Sequence, residues 1–114
     1  MCIRDRLVVE AADAGAGLVL LSEMFSTGFS MDTDRIAQSP DGQAVTFLRE
    51  TAADSGVWLG GSVAVDPEPD EASDGRARNR FFLAGPAGEL HHYDKIHPFT
   101  YGGEPEYYLS LIHI

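Results

Sequence analysis

The run Gly17-Leu18-Val19-Leu20-Leu21 constrains this chain more than any other feature. It is short and continuously apolar, and the polar pair Ser22-Glu23 closes it at once. A membrane helix needs about 18 apolar residues, so this is no membrane span. A short unbroken apolar run is typical of a parallel strand covered on both faces, the strand of an α/β protein. Glu23 then sits near the carboxyl end of that strand, where the ligand sites of open α/β sheets gather.

The flanking segments agree with that class. Leu7, Val8, Ala11 and Ala12 recur at helical spacing and Gly15 is a good stop, which predicts a helix over 4–14. Residues 24–36 have no clean period and read as a loop. Ser39-Pro40-Asp41 reads as an N-cap, a first-turn Pro and a first-turn acid. Ala44, Val45, Leu48 and Ala52 form the apolar face of the helix that follows, and Gly56 ends it. Val57 to Val65 is β-rich, and Gly60-Gly61 inside it marks a bulge or a close backbone approach. Asp66 to Arg76 holds almost nothing apolar and reads as a surface loop or a short disordered insertion. Phe81-Phe82-Leu83 begins a strand, Gly85-Pro86-Ala87-Gly88 turns it, and Glu89 to Tyr93 returns as its hairpin partner. Helix, strand, helix, strand, hairpin is the order of an α/β protein with a mixed sheet.

Composition narrows the partners. The 114 residues allow one domain at most, and 44% hydrophobic with 23% charged residues is ordinary for a folded chain. Eighteen acids against eight Lys and Arg leave a formal charge of −10, which repels phosphate backbones and anionic membranes. Nucleic acid and membrane are therefore excluded as expected partners. The single cysteine, Cys2, forms no intrachain disulfide and no multi-cysteine zinc site. With no signal-peptide pattern, a cytoplasmic location is expected.

Both ends read as foreign. ATG-TGT-ATA-AGA-GAC-AG encodes Met1 to Asp5 and the start of the next codon, and its reverse complement encodes Leu109-Ser110-Leu111-Ile112-His113 and the start of an Ile codon. One short sequence in inverted orientation thus accounts for both, as a translated library adapter would. The native stretch is then Leu7 to Tyr108, a piece of a longer protein, and the apolar residues of 109–114 are expected to be poorly buried or borrowed as an accidental strand.

Three residues carry candidate chemistry. Glu23, following a buried strand, is partly desolvated, which raises a carboxyl pKa and suits general-base work; an acid capping a turn or paired with a lysine has the same local sequence. Lys95 is the only lysine and lies among aromatics in Tyr93-Asp94-Lys95-Ile96-His97-Pro98-Phe99. It can hold a carboxylate or an oxyanion, or be a solvated lysine beside Asp94. Glu104 follows Gly102-Gly103, which lets the chain turn and place an acid beside a site, or simply in an exposed turn. His91, His92, His97, Asp94 and Glu104 make no convincing metal set, because neighbouring strand residues face opposite ways. No cofactor is expected. Trp58, Phe81 and Phe82 are expected in the core, and Arg76, Arg78 and Arg80 on one strand face, paired with carboxylates.

Together these segments resemble the carbon–nitrogen hydrolase (nitrilase) superfamily. Leu18 to Phe25 resembles its strand ending in a catalytic Glu, with Ser22 where Pro is common. Asn79 to Gly88 and Tyr93 to His97 resemble its hairpin leading to a catalytic Lys, and Gly103-Glu104 the segment bearing a further active-site Glu. Glu23 to Met31 looks most like the omega-amidase branch, which hydrolyses side-chain amides of 2-oxo acids. The resemblance implies a partial αββα sandwich, a small-molecule amide substrate and a homo-oligomeric parent protein. It also implies a Cys thiolate that attacks the amide carbon, with Glu23 as general base, Lys95 as oxyanion stabiliser and Glu104 as supporting acid. Cys2 precedes every motif, so the nucleophile has no counterpart and the chain alone is expected to be inactive. An N-carbamoyl-amine or ureido amidase of the same superfamily is the alternative enzyme. A non-catalytic acidic α/β interaction domain is the alternative class, and it requires a closed core and no convergence of Glu23 with Lys95. Amidase chemistry requires both charged ends within about 10 Å, close enough to act on one carbonyl, with Glu104 nearby.

Overall fold

The computed structural model describes residues 3–67, 75–99 and 102–109. In chain order these form α1 (Ile3–Asp13), β1 (Leu18–Leu20), α2 (Thr33–Ile36), α3 (Gln43–Ser55), β2 (Trp58–Val65), β3 (Arg78–Ala84), β4 (Leu90–Asp94) and α4 (Glu104–Tyr107). The sheet runs β1-β2-β3-β4, with β1 parallel to β2 and the other neighbours antiparallel. The mixed α/β sheet is the one the sequence predicts. Connections explain it: α3 carries the chain across from β1 to the parallel β2, while a tight turn closed by Gly85 N–H donating to Glu89 O joins β3 to β4. Among the described residues no helix is long and apolar enough to cross a membrane.

Helix α3 presents the expected face: Ala44, Val45, Leu48 and Ala52 are all buried. Gly56 ends it at φ 67°, a left-handed conformation that costs a glycine little. Its start differs from the expectation. Gly42, not Ser39, occupies the N-cap, and Ser39-Pro40-Asp41 form a turn before it. Gln38 supplies the missing acceptor, its Oε1 taking the Ala44 N–H at 3.1 Å. It can do so because a parallel bridge to Val65 holds its backbone at the sheet. Residues 24–36 also depart from a plain loop, since 33–36 form α2 and bury Ile36.

The larger of two core clusters lies on one face of the sheet. Val8 of α1 and the buried residues of α3 pack on Leu59, Val63, Val65, Phe82 and Ala84. Burial of such aliphatic side chains stabilises by about 1.5–3 kcal/mol each. The opposite face is open along β1. Leu18 and Leu20 are 55% and 62% exposed, so β1 is not covered on both sides as its apolar run predicts. Helices α1 and α3 are both on the Val19 side, while Met24, Ile36, Ala77 and Tyr108 pack with Ala64 on the other face, away from β1. Trp58 faces the same open side, half-buried and stacked on His91 at 6.2 Å, rather than in the core. The glycine pair makes a close approach and no bulge, because the β2–β3 register is unbroken from Leu59 to Val65. A Cβ on Gly60 would meet Phe81 Cζ at 2.5 Å, and one on Gly61 would meet Phe25 Cδ1 at 2.6 Å.

Strand β3 starts at Arg78 rather than Phe81, and β4 continues to Asp94. Arg78 and Arg80 share a face, as the alternation predicts, and both pair with buried Asp94 at 3.1 and 2.5 Å. Arg76 lies outside the strand and donates to Pro105 O. Of the polar stretch 66–76, residues 68–74 lie outside the described residues; Asp66, Pro67 and Gly75 are exposed. Of the ends, Met1, Cys2 and residues 110–114 also lie outside them. Leu109 is buried, and its N–H donates to Ala77 O at 2.8 Å beside the parallel bridge Ala77↔Tyr108.

Candidate functional site

The site is built where β1 and β4 end and β3 begins. Strand β1 extends one hydrogen bond beyond Leu20, from Leu21 N–H to Gly60 O, and Glu23 follows two residues later. Met24 then takes φ 54°, a left-handed conformation uncommon for a residue other than glycine. Ser62 holds it there, its Oγ accepting the Met24 N–H at 2.9 Å. The turn is closed by Gly28 N–H donating to Met24 O. Glu23 is thereby fixed at a sharp corner above the sheet.

Lys95 comes from the other side. Its N–H donates to Asn79 O at 2.9 Å, one pairing beyond the end of β4. Its Nζ reaches Glu23 Oε1 at 2.8 Å and Glu104 Oε2 at 3.0 Å, so the structure brings all three predicted residues together. Glu104 opens α4 after Gly103, whose φ of 76° makes the turn that the sequence assigns to the glycines. Its side chain is wholly buried, and its Oε2 also accepts the Phe99 N–H. It is not the exposed turn acid that its local sequence also allows. The Phe29 ring stands 5.8 Å from Lys95 Nζ, within reach of a cation–π attraction.

The electrostatics correct one expectation. Burial pushes the Glu23 carboxyl up, but hydrogen bonds from Lys95 and Asn79 and the lysine charge outweigh it and hold the group below the usual carboxylate range. Its side chain is 47% exposed, so desolvation is weaker than a position after a buried strand suggests. Burial likewise pulls Lys95 down, while hydrogen bonds and charge from Glu23 and Glu104 carry it above its ordinary value. At neutral pH the pair is therefore ionised. Burial, then the negative field of Glu104 and Glu23, raises the Tyr108 phenol to about 12, and its hydroxyl donates to Ser30 O at 2.9 Å.

Three participants escape sequence reasoning: Asn79, Ser62 and Tyr108. Asn79 Nδ2 donates to Glu23 Oε1 at 2.8 Å and to Glu104 Oε1 at 3.1 Å. Strand alternation is the signal that could have found it, since Asn79 must face away from Arg78 and Arg80. Leu21, Glu23, Ser62, Asn79, Phe81, Tyr93 and Lys95 line a cleft of about 280 Å³. Its floor is charged and its walls are apolar, an arrangement that can bind a small polar group at the end of a short carbon chain. His91 stacks on Trp58, whereas His92 lies beside Phe82, so the two histidines face opposite ways and neither joins the cleft.

The family model described as carbon-nitrogen hydrolase matches residues 5–112. The chain is 38% identical over 93 residues to an omega-amidase, YafV, from Yersinia enterocolitica, covering 82% of this chain and 34% of that protein. It is 38% identical over 100 residues to a nitrilase from Pyrococcus abyssi, covering 83% and 36%. The chain thus spans about a third of the length of these relatives. Among solved structures, a CN-hydrolase superfamily protein from Xanthomonas campestris superposes with a TM-score of 0.74 at 33% identity, over 93% of this chain and 39% of that one. A mutant of the amidase from Nesterenkonia sp. AN1 in complex with butyramide superposes at 0.78 with 23% identity, over 95% and 40%, a likeness of fold.

Proposed function

Since the chain belongs to the carbon–nitrogen hydrolase family, we propose that it carries the base and oxyanion half of an amidase site, acting on side-chain amides of 2-oxo acids. The observation that carries this is the single lysine bridging two acids from distant segments at the floor of an apolar-walled cleft. An interaction domain has no use for that convergence.

The chemistry follows from the donors and acceptors. Glu23, ionised at neutral pH, takes a proton from a thiol and returns it to the leaving amine. Two of the three Lys95 ammonium hydrogens lie on carboxylates, which leaves the third for the oxyanion of a tetrahedral intermediate. Glu104, buried, fixes the direction of Lys95. The thiolate comes from outside these 114 residues, because Cys2 precedes every motif. The omega-amidase assignment is supported by the Yersinia relative and by Glu23 to Met31.

The test is ammonia release from 2-oxoglutaramate and succinamate. The chain alone should give none, and supplying the remaining part of the fold with its cysteine should restore turnover. In that completed protein Glu23→Gln should abolish release, and Lys95→Met should lower kcat by about 10²–10³-fold, the cost of losing an oxyanion donor. Robust release by the chain alone, or a completed protein indifferent to Glu23→Gln, overturns the proposal.

A further inference from the structure

Asn79 touches every member of the charged cluster. Its Nδ2 donates to Glu23 Oε1 at 2.8 Å and to Glu104 Oε1 at 3.1 Å, and its backbone oxygen accepts the Lys95 N–H at 2.9 Å. A carboxamide nitrogen has two hydrogens, and here each acid takes one. The orientation is not open to choice, because the amide oxygen turned the other way would face two carboxyl oxygens. Asn79 itself is buried on β3. Glu23 Oε1 therefore accepts from both Asn79 and Lys95, which leaves Oε2 as the oxygen with room for a proton.

We propose that Asn79 is a positioning residue: it clamps Glu23 through Oε1 and Glu104 through its own Oε1, so that Glu23 Oε2 is the atom presented to the reacting proton. This rests on the reading of Glu23 as base, and nothing in the family resemblance above assigns the asparagine a role. The backbone contact adds a second function. Because the same residue sets the Lys95 amide and both acids, base and oxyanion donor share one reference point on β3. Among the described residues, the titratable groups near Glu23 include Lys95, Glu104 and Tyr108, with Tyr93 lining the same cleft.

The test separates this proposal from the functional one. In the 114-residue chain the Glu23 carboxyl carbon is titrated by NMR, in wild type and in Asn79→Ala. Loss of a charge-assisted hydrogen bond should raise the proton affinity of Glu23 by at least about threefold. An unchanged midpoint in a folded variant overturns the proposal. If Asn79→Ala does not fold, the wild-type Asn79 side-chain hydrogens are read instead. Glu23→Gln should move one resonance and Glu104→Gln the other, and two resonances that respond to neither substitution overturn it equally. In the completed protein Asn79→Ala should lower kcat more than it changes KM and shift the acid limb of the pH profile upward. A completed protein with no amidase activity, but with the titration as expected, overturns the function proposed above and leaves the clamp standing.

Discussion

On one face of the sheet Leu59, Val63, Val65, Phe82 and Ala84 are sealed beneath α1 and α3, while on the other Leu18, Leu20 and Tyr93 stand exposed around the cleft. The two faces share the same strands, and on the second one Ala64 is buried under Met24, Ile36 and Tyr108 while Leu18 and Leu20 are not covered. Every second side chain goes to a packed layer, and the ones between go to the face that carries Glu23, Asn79 and Lys95. The covered face supplies stability. The open face supplies chemistry, and along β1 it leaves Leu18 and Leu20 exposed. In the sandwich that the family resemblance implies, that surface is where a second layer would lie.

The contrast can be broken by comparing costs across the faces. Leu48→Ala on the covered side should cost about 3–5 kcal/mol in urea unfolding, the loss of a fully buried side chain. Leu20→Ala on the open side should stay within about 0.5 kcal/mol. Equal costs would mean that the open face is packed in solution. Asp94 lies on the covered side of β4 and binds both Arg78 and Arg80. Asp94→Ala should therefore cost about 3 kcal/mol, since it removes the shared carboxylate of a buried group of charges.

The glycine pair sharpens the comparison residue by residue. Gly61→Ala drives a methyl into Phe25, which packs on the core and on Phe47 at 5.9 Å between ring centroids. Overpacking of this kind costs about 1–3 kcal/mol. Gly60→Ala meets Phe81, which can swing toward the open side, so its Tm should fall less than that of Gly61→Ala. The smallest effect is that of acid. Glu23 and Asp94 are both held below their ordinary values of 4.5 and 3.8. Their stabilisation is thus complete above those values and is lost as pH falls through the lower, folded ones. Thermal melts across that range should show the decline, and Asp94→Asn should flatten it more than Glu23→Gln, whose carboxyl is half in water.

What was legible in the sequence was local. Gly15 and Gly56 ended their helices, the four apolar residues of α3 found the core, and the glycine-bounded turn closed the hairpin. Glu23, Lys95 and Glu104 could be singled out because each follows a strand end or a glycine pair. The missed features depend on distant partners. Ser39 lost its cap to Gln38 because a bridge to Val65 brings that amide into place. Leu18 and Leu20 read as buried because an apolar run does not say whether a second layer is present. The proton affinity of Glu23 was read upward because local sequence contains burial but not Lys95, 72 positions away. Asn79 stands between two arginines, and its role depends on Glu23, 56 positions away.

That separation along the chain has a kinetic consequence. Lys95 and Glu104 are 9 positions apart, whereas Glu23 lies 56 from Asn79 and 72 from Lys95. The β3–β4 hairpin closes a short loop, and β1 must close a long one to pair with β2, at an entropic cost that grows with loop length. Contacts of high sequence separation form late in refolding. Asn79, Lys95 and Glu104 can thus gather with the hairpin, and Glu23 joins only when the three-residue β1 docks at the sheet's edge. The acid that begins the proposed reaction is then the last of the cluster to arrive on refolding and the first to depart when the edge frays.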